Sequence, residues 1–303
     1  LNISKMKIER KRVCLIGVAG ASVLLGFALK SVAMNTVQIY GALLEDSHWQ
    51  ASGTALECEL SQNIPEFGEG RFRKKAGEEL EFVLRPFTNV LPPGAATLVA
   101  ESPAWKHNQA DQPIATVEVT DNMIPVQLSR PQAAAMLVQL KQGMMPSFIG
   151  PVQEQQGEQE SVKVVISSVN FQPAYQEYIG CLSQLLPVSF RQIARSAIFF
   201  ETNDTSLSTE IQEQLDLIAR YVKADKKVRR IFVDGHTDNV GDRRLNKKVP
   251  QRRAATVIDY FKRAGVEEKL LVSRFHGDRY PALKNDTAEN RARNRRVTIR
   301  LER

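Results

Sequence analysis

At 303 residues, with 43% hydrophobic and 25% charged side chains, the chain has an ordinary globular composition and room for about two domains; neither a disordered chain nor a multi-span membrane protein fits it. Its formal charge of +7 is unevenly placed: residues 191–303 hold 26 Lys+Arg against 16 Asp+Glu, a formal +10, and the remainder holds 15 against 18, a formal −3. A basic half favours an anionic partner, whether nucleic acid, acidic lipid or an acidic polymer such as a cell wall.

Lys5, Lys7, Arg10, Lys11 and Arg12 precede an apolar run from Val13 to Met34 that contains no acidic residue, and Ser31 and Ala33 supply small residues for cleavage. This pattern predicts a signal peptide over residues 1–33, with an uncleaved membrane anchor as the competing reading. Export argues against a nucleic-acid partner and places the protein in the periplasm, where disulfides persist. Cys14 falls in the leader, which leaves Cys58 and Cys181 as an even pair expected to bond; two buried free thiols are the alternative.

Residues 34–187 read as one mainly-β domain, a sandwich or barrel. Glu79–Arg85 and Ile114–Thr120 alternate with period two, and Val162–Val169 is short and β-branched. Helices are expected over Pro131–Gln142 and Pro173–Leu186, and the Gln/Glu-rich stretch Pro151–Ser161 reads as an exposed loop. A bridge between Cys58 and Cys181 would tie the start of this domain to its last helix.

Residues 190–303 give a β-α-β-α-β-β order: strand Ala197–Phe200, helix Glu210–Lys223, strand Val228–Val233, a helix through Ala254, Val257 and Phe261 ending near Gly265, then strands Leu270–Phe275 and Val297–Leu301. This order implies an α+β domain with two helices on one face of the sheet.

Polar segments cluster at the element ends. Asp238 lies just past a strand end, and Arg253 lies four residues before Val257, at the border of the next helix's buried face. Such an acid and base either pair with each other or receive a zwitterion, the carboxylate taking an ammonium and the guanidinium a carboxylate. There is no nucleophile elbow, Cys/His couple or metal-binding helix, so no catalysis, metal or cofactor is expected. His236 reads as a hydrogen-bonded loop residue, and Arg291–Arg296 as a solvated loop whose Arg295 turns inward.

Gly235-His236-Thr237-Asp238, with Gly241, Leu245-Asn246, Arg253-Ala254, Gly277, Pro281 and Asn294-Arg295-Arg296-Val297, resembles the OmpA-like peptidoglycan-binding domain. The resemblance implies that Asp238 takes the ammonium and Arg253 the carboxylate of meso-diaminopimelate in a stem peptide, with Asn203, Thr237, Asn246 and Arg295 in support. Val249-Pro250 depart from the Leu-Ser of that family; a proline is tolerated in a first helical turn, but a serine cap is lost.

In the first domain, Leu56-Glu57-Cys58-Glu59-Leu60, Ile64-Pro65, Phe67-Gly68, Ser167-Ser168-Val169, Phe171-Gln172, Tyr175, Cys181 and Leu185-Leu186 are similar to the MotY family of periplasmic flagellar motor proteins. That similarity implies a ring around the basal body, assembled with a MotX-like partner, that holds the stator complexes and ties them to peptidoglycan. A general OmpA-like wall tether unconnected with the flagellum is the alternative, since the second domain would look the same in both. The stator's own wall-binding subunit is rejected: it needs an acidic residue in its membrane span, and Val13–Met34 has none.

Overall fold

The computed structural model describes residues 35–106, 108–155, 158–241 and 245–303. The expected leader, residues 1–33, lies outside them. Among the described residues, no helix is long and apolar enough to cross a membrane.

The N-terminal domain contains β1 (Asn35–Tyr40), β2 (Trp49–Gly53), β3 (Glu57–Ile64), β4 (Gly68–Lys75), β5 (Leu80–Pro86), β6 (Gly94–Glu101), β7 (Gln112–Val119), β8 (Val126–Leu128), α1 (Arg130–Lys141), β9 (Met145–Ile149), β10 (Gln153–Gln155), β11 (Glu158–Val165) and α2 (Phe171–Gln184). One sheet runs β1-β11-β9-β6-β7, with β10 paired to β11, and the other runs β2-β3-β4-β5-β8. Alternation drives the layering: Cys58, Leu60, Gln62 and Ile64 of β3 point inward while the residues between them do not. Phe82 of β5 and Phe148 of β9 stack at 5.7 Å, so the two sheets share a core, as in a sandwich. Gln62, buried in that core, is bonded on both sides of its amide: Nε2 donates to Ser47 Oγ and the Ser167 carbonyl, and Oε1 accepts from the Ser167 N–H.

Helix α2 buries Phe171, Ala174 and Tyr178 beside β2 and β3. Cys58 of β3 and Cys181 of α2 form a disulfide, with Cα atoms 6.0 Å apart. The loop expected over Pro151–Ser161 is instead largely strand: β10 and β11 form a hairpin, and β11 pairs with β9 and, in parallel, with β1. Backbone pairing sets this hairpin, and its Gln/Glu composition carries no apolar alternation from which pairing could be read.

The C-terminal domain contains α3 (Phe190–Ile193), β12 (Arg195–Phe199), α4 (Thr209–Ala224), β13 (Arg230–His236), α5 (Leu245–Arg263), β14 (Leu271–Gly277), α6 (Ala288–Asn294) and β15 (Arg296–Glu302). Its sheet order is β12-β15-β13-β14, with β13 and β14 parallel. Helix α4 starts where Ser208 Oγ accepts the Ile211 N–H, and it buries Leu215, Ile218, Ala219 and Val222. Helix α5 buries Ala254, Val257 and Phe261 in the same core. It ends at Gly265, whose φ of +82° suits glycine as a helix stop. The expected order holds, with two short helices added. One of them, α6, replaces the loop expected over Arg291–Arg296: Thr287 Oγ1 caps it by accepting the Asn290 N–H.

The domains meet where Leu186 N–H donates to the Ala55 carbonyl, and Ala76 and Leu186 join the second core. Gly77, at φ +66°, sits against the start of α3, where a Cβ would lie 2.2 Å from the Ser189 nitrogen.

Candidate functional site

Strand β13 is one of the two inner strands of the sheet and is buried from Ile231 to His236. It delivers Thr237 and Asp238, both buried, to the strand end; the Thr237 N–H donates to the Gly277 carbonyl and holds that end against β14. Gly235 lets α5 close over the strand, because a Cβ there would stand 2.2 Å from the Pro250 carbonyl oxygen. Pro250 lies inside α5, which begins at Leu245, not in a first turn as expected from the sequence. The helix therefore forgoes one backbone bond at Pro250, on the turn that packs against Gly235. Gly235→Ala is expected to lower the urea unfolding free energy of this domain by about 1–3 kcal/mol through overpacking. Gly180→Ala, where a Cβ meets nothing within 4 Å on a helix, is the contrast and should stabilise by up to about 1 kcal/mol.

Asp238 and Arg253 do not bond to each other. Asp238 Oδ1 accepts the Val240 N–H, and Oδ2 accepts Arg295 Nη1 at 3.0 Å. Arg253, on α5, is 0% exposed. Its Nε donates to the Asp204 carbonyl at 2.8 Å and its Nη2 to the Glu201 carbonyl at 2.6 Å, while its guanidinium lies 5.0 Å from the Phe200 ring centroid. Its Nη1 has no hydrogen-bond partner among the described residues. Burial, reinforced by Arg295, pushes the Arg253 pKa down to about 10, with Asp238 and Asp204 opposing. The group is still a cation at neutral pH, held by neutral carbonyls and a ring.

A cavity of about 160 Å³ lies between these side chains. Asn203, Thr237, Asp238, Arg253 and Arg295 all line it, so five of the six residues expected at the site come together. The sixth, Asn246, belongs to the first turn of α5, and its side chain falls outside the described residues. Asn203 adopts a left-handed backbone at φ 59° in the turn that presents the Glu201 and Asp204 carbonyls. Sequence reasoning missed those carbonyls, the Phe200 ring, and Arg291 and Val249, which also line the cavity. Asn294 is fully buried and ties the approach to α6 in place, accepting from the Ala282 and Leu283 N–H groups and donating to the Leu283 carbonyl.

His236 lies on β13 itself, not in the loop beyond it. Its Nε2 is 3.4 Å from Thr298 Oγ1, and its ring centroid is 5.1 Å from that of His276. Burial, then Arg296 and His276, push its pKa from 6.5 down to about 4. A base with a depressed folded pKa is protonated first in the unfolded chain, so this residue's contribution to stability is lost as pH falls from about 6.5 to about 4. Replacing it by Gln should flatten the dependence of unfolding free energy on pH in that window, by about 2–3 kcal/mol between its ends. Parallel curves for the two proteins would refute this. Among the described residues, no group of three His, Cys, Asp or Glu could hold a metal ion.

A buried guanidinium with an unused donor thus stands across a polar cavity from a carboxylate, at the ends of a β-α-β-α-β-β fold; residues 199–295 match the OmpA family. Residues 40–187 match the MotY N-terminal domain, so the chain joins a MotY N-terminal domain to an OmpA-family domain. The chain is 27% identical over 285 residues to the sodium-type flagellar protein MotY of Vibrio parahaemolyticus, covering 92% of this chain and 96% of that one. It is 36% identical to the putative lipoprotein YfiB of Escherichia coli, over 34% of this chain and 64% of that one. It is 31% identical to the peptidoglycan-associated lipoprotein of Pseudomonas putida, over 35% of this chain and 63% of that one. The chain thus spans nearly all of the Vibrio protein but less than two thirds of the other two. By name, the first of these relatives is a flagellar protein and the third is associated with peptidoglycan.

Proposed function

We propose that the C-terminal domain, residues 190–303, binds peptidoglycan without catalysis by taking the diaminopimelate of a stem peptide. Arg253 receives its carboxylate through the free Nη1, and Asp238 receives its ammonium. Thr237, Asn203, Asn246 and Arg295 support the peptide. The observation that carries this reading is the fully buried Arg253 with an unused donor and no carboxylate of its own. A buried cation of this kind gains most from a ligand that brings an anion. The name of the Pseudomonas relative agrees with it. The test is sedimentation with purified sacculi: a diaminopimelate-containing stem peptide in excess should release the chain, and release by neither that peptide nor a longer wall fragment would end this reading.

The chain as a whole acts, on this proposal, as a periplasmic flagellar motor protein. Its N-terminal domain, residues 34–187, docks on the basal body with a MotX-like partner, and a ring of copies holds the stators to the wall. The support is the resemblance to the Vibrio protein along nearly the whole chain. Peptidoglycan surrounds the cell, so wall binding carries no positional information, and position falls to the N-terminal domain. A deletion strain that swims normally would favour the plain wall tether instead.

A further inference from the structure

The open face of the C-terminal sheet, opposite α4 and α5, is basic. The register sets Arg195 of β12 beside Arg300 of β15, Arg300 beside Phe232 of β13, and Asp234 of β13 beside Arg274 of β14. Ile231 and Val233 alternate into the core, so these residues share the other face. The guanidinium groups of Arg274 and Arg300 lie 4.2 and 4.4 Å from the Phe232 centroid, a cation–ring contact for each. Arg274 is spent on Asp234, at 2.7 Å. Arg195 and Arg300 face each other as like charges with no carboxylate partner among the described residues, an arrangement that destabilises a strand pair unless an anion relieves it.

The domain of opposite net charge is on the same chain. Residues 34–190 hold nine Lys+Arg against 17 Asp+Glu, a formal −8, beside the formal +10 of residues 191–303. Among the described residues, no ion pair joins the two domains, so this complementarity is not used within one molecule. We propose that the Arg195–Arg300 face of one copy docks on the acidic N-terminal domain of a second copy, head to tail. Such a contact leaves one acidic domain and one basic face free at the ends of each pair, so it propagates and closes into a ring when the rotation permits. It deepens the ring in the function proposed above and does not involve the wall site.

Sedimentation velocity of the purified chain tests it. At about 10 mM salt, where charges reach about 30 Å, mass should rise with concentration to at least about twice the monomer's, and at about 1 M salt, where they reach about 3 Å, it should return to monomer. Arg195→Glu with Arg300→Glu should stay monomeric at low salt while its melting and its binding to sacculi match wild type. Asp238→Asn should associate like wild type while losing sacculi, which separates failure of this contact from failure of the wall site. A wild-type chain that stays monomeric at low salt, or a double variant that associates as wild type does, overturns the proposal. So does a double variant that loses sacculi binding instead, since the face would then serve the wall.

Discussion

Asp238→Asn is expected to remove most of the affinity for sacculi while leaving the fold intact. The side chain keeps its shape and its bond from the Val240 N–H but loses the charge that faces Arg295 at 3.0 Å and the incoming ammonium. Removing one member of a buried charge pair costs about 2–5 kcal/mol, which is roughly 30-fold to a few thousand-fold in affinity. Arg253→Ala should abolish binding as well, but it also strands the Glu201 and Asp204 carbonyls and empties the space over Phe200, so a loss there mixes folding with binding. Arg253→Lys is the cleaner variant. It keeps a cation, but a lysine cannot bond two carbonyls and still offer a donor to a carboxylate in one plane. Its affinity should fall by at least about tenfold with the melting curve little changed. Sacculi binding at wild-type strength in both Asp238→Asn and Arg253→Lys, each shown folded by its melting curve, would remove the basis for the wall site.

Loss of the Cys58–Cys181 bridge should weaken the N-terminal domain far more than the C-terminal one. The bridge spans 123 residues of sequence. In the chain-entropy account, closing a loop of that length stabilises the folded state by about 4–5 kcal/mol, less any strain. Its surroundings are built for it: a Cβ on Gly53 would lie 2.3 Å from Cys181 Sγ, so the β2–β3 hairpin meets α2 through a glycine. The double replacement Cys58→Ala/Cys181→Ala should lower the urea midpoint of the transition reported by Trp49, which packs at 5.1 Å against Phe171 in that core, while the transition of the C-terminal domain stays put. Reduction of the wild-type protein should reproduce the shift. A Trp49 transition within about 1 kcal/mol of wild type would mean that the entropy of the open chain matters little in this domain.

The elements that the sequence predicted well are those whose side chains face one core. Leu215, Ile218 and Val222 recur at helical spacing because burial imposes that period, whereas Leu80–Pro86 forms the expected strand with Phe82, Val83 and Leu84 buried in a row. The misses share another cause. Strands β9 and β10 and the first half of β11 are set by which backbones pair, and a Met-Pro-Ser-Phe-Ile stretch beside a Gln/Glu-rich one carries no period to betray it, whereas the β-branched end of β11 from Val162 to Val165 was legible. At the site, residue types marked Asp238, Arg253 and Arg295, but their pairing was not legible. Arg253 turned to the carbonyls of Glu201 and Asp204, which any residue could have supplied, and Asp238 turned to Arg295, 57 positions away. The fit of Pro250 over Gly235 was hidden for the same reason, since each is ordinary until the other is brought against it.

The position of the disulfide also fixes how tension would travel through the molecule. A load on the C-terminal domain enters the N-terminal one through the connection at Leu185–Ser189, directly after α2 and only a few residues past Cys181. Without the bridge, that load would peel α2 off the sheet one contact at a time, a low-force route because each contact fails singly. With Cys181 bonded to β3, and the Leu186 N–H bonded to the Ala55 carbonyl on the adjoining hairpin, the pull is handed at once to β3, a strand paired on both sides in the β2-β3-β4-β5-β8 sheet. Its ladder bonds must then yield together, and α2 is shielded from the line of force.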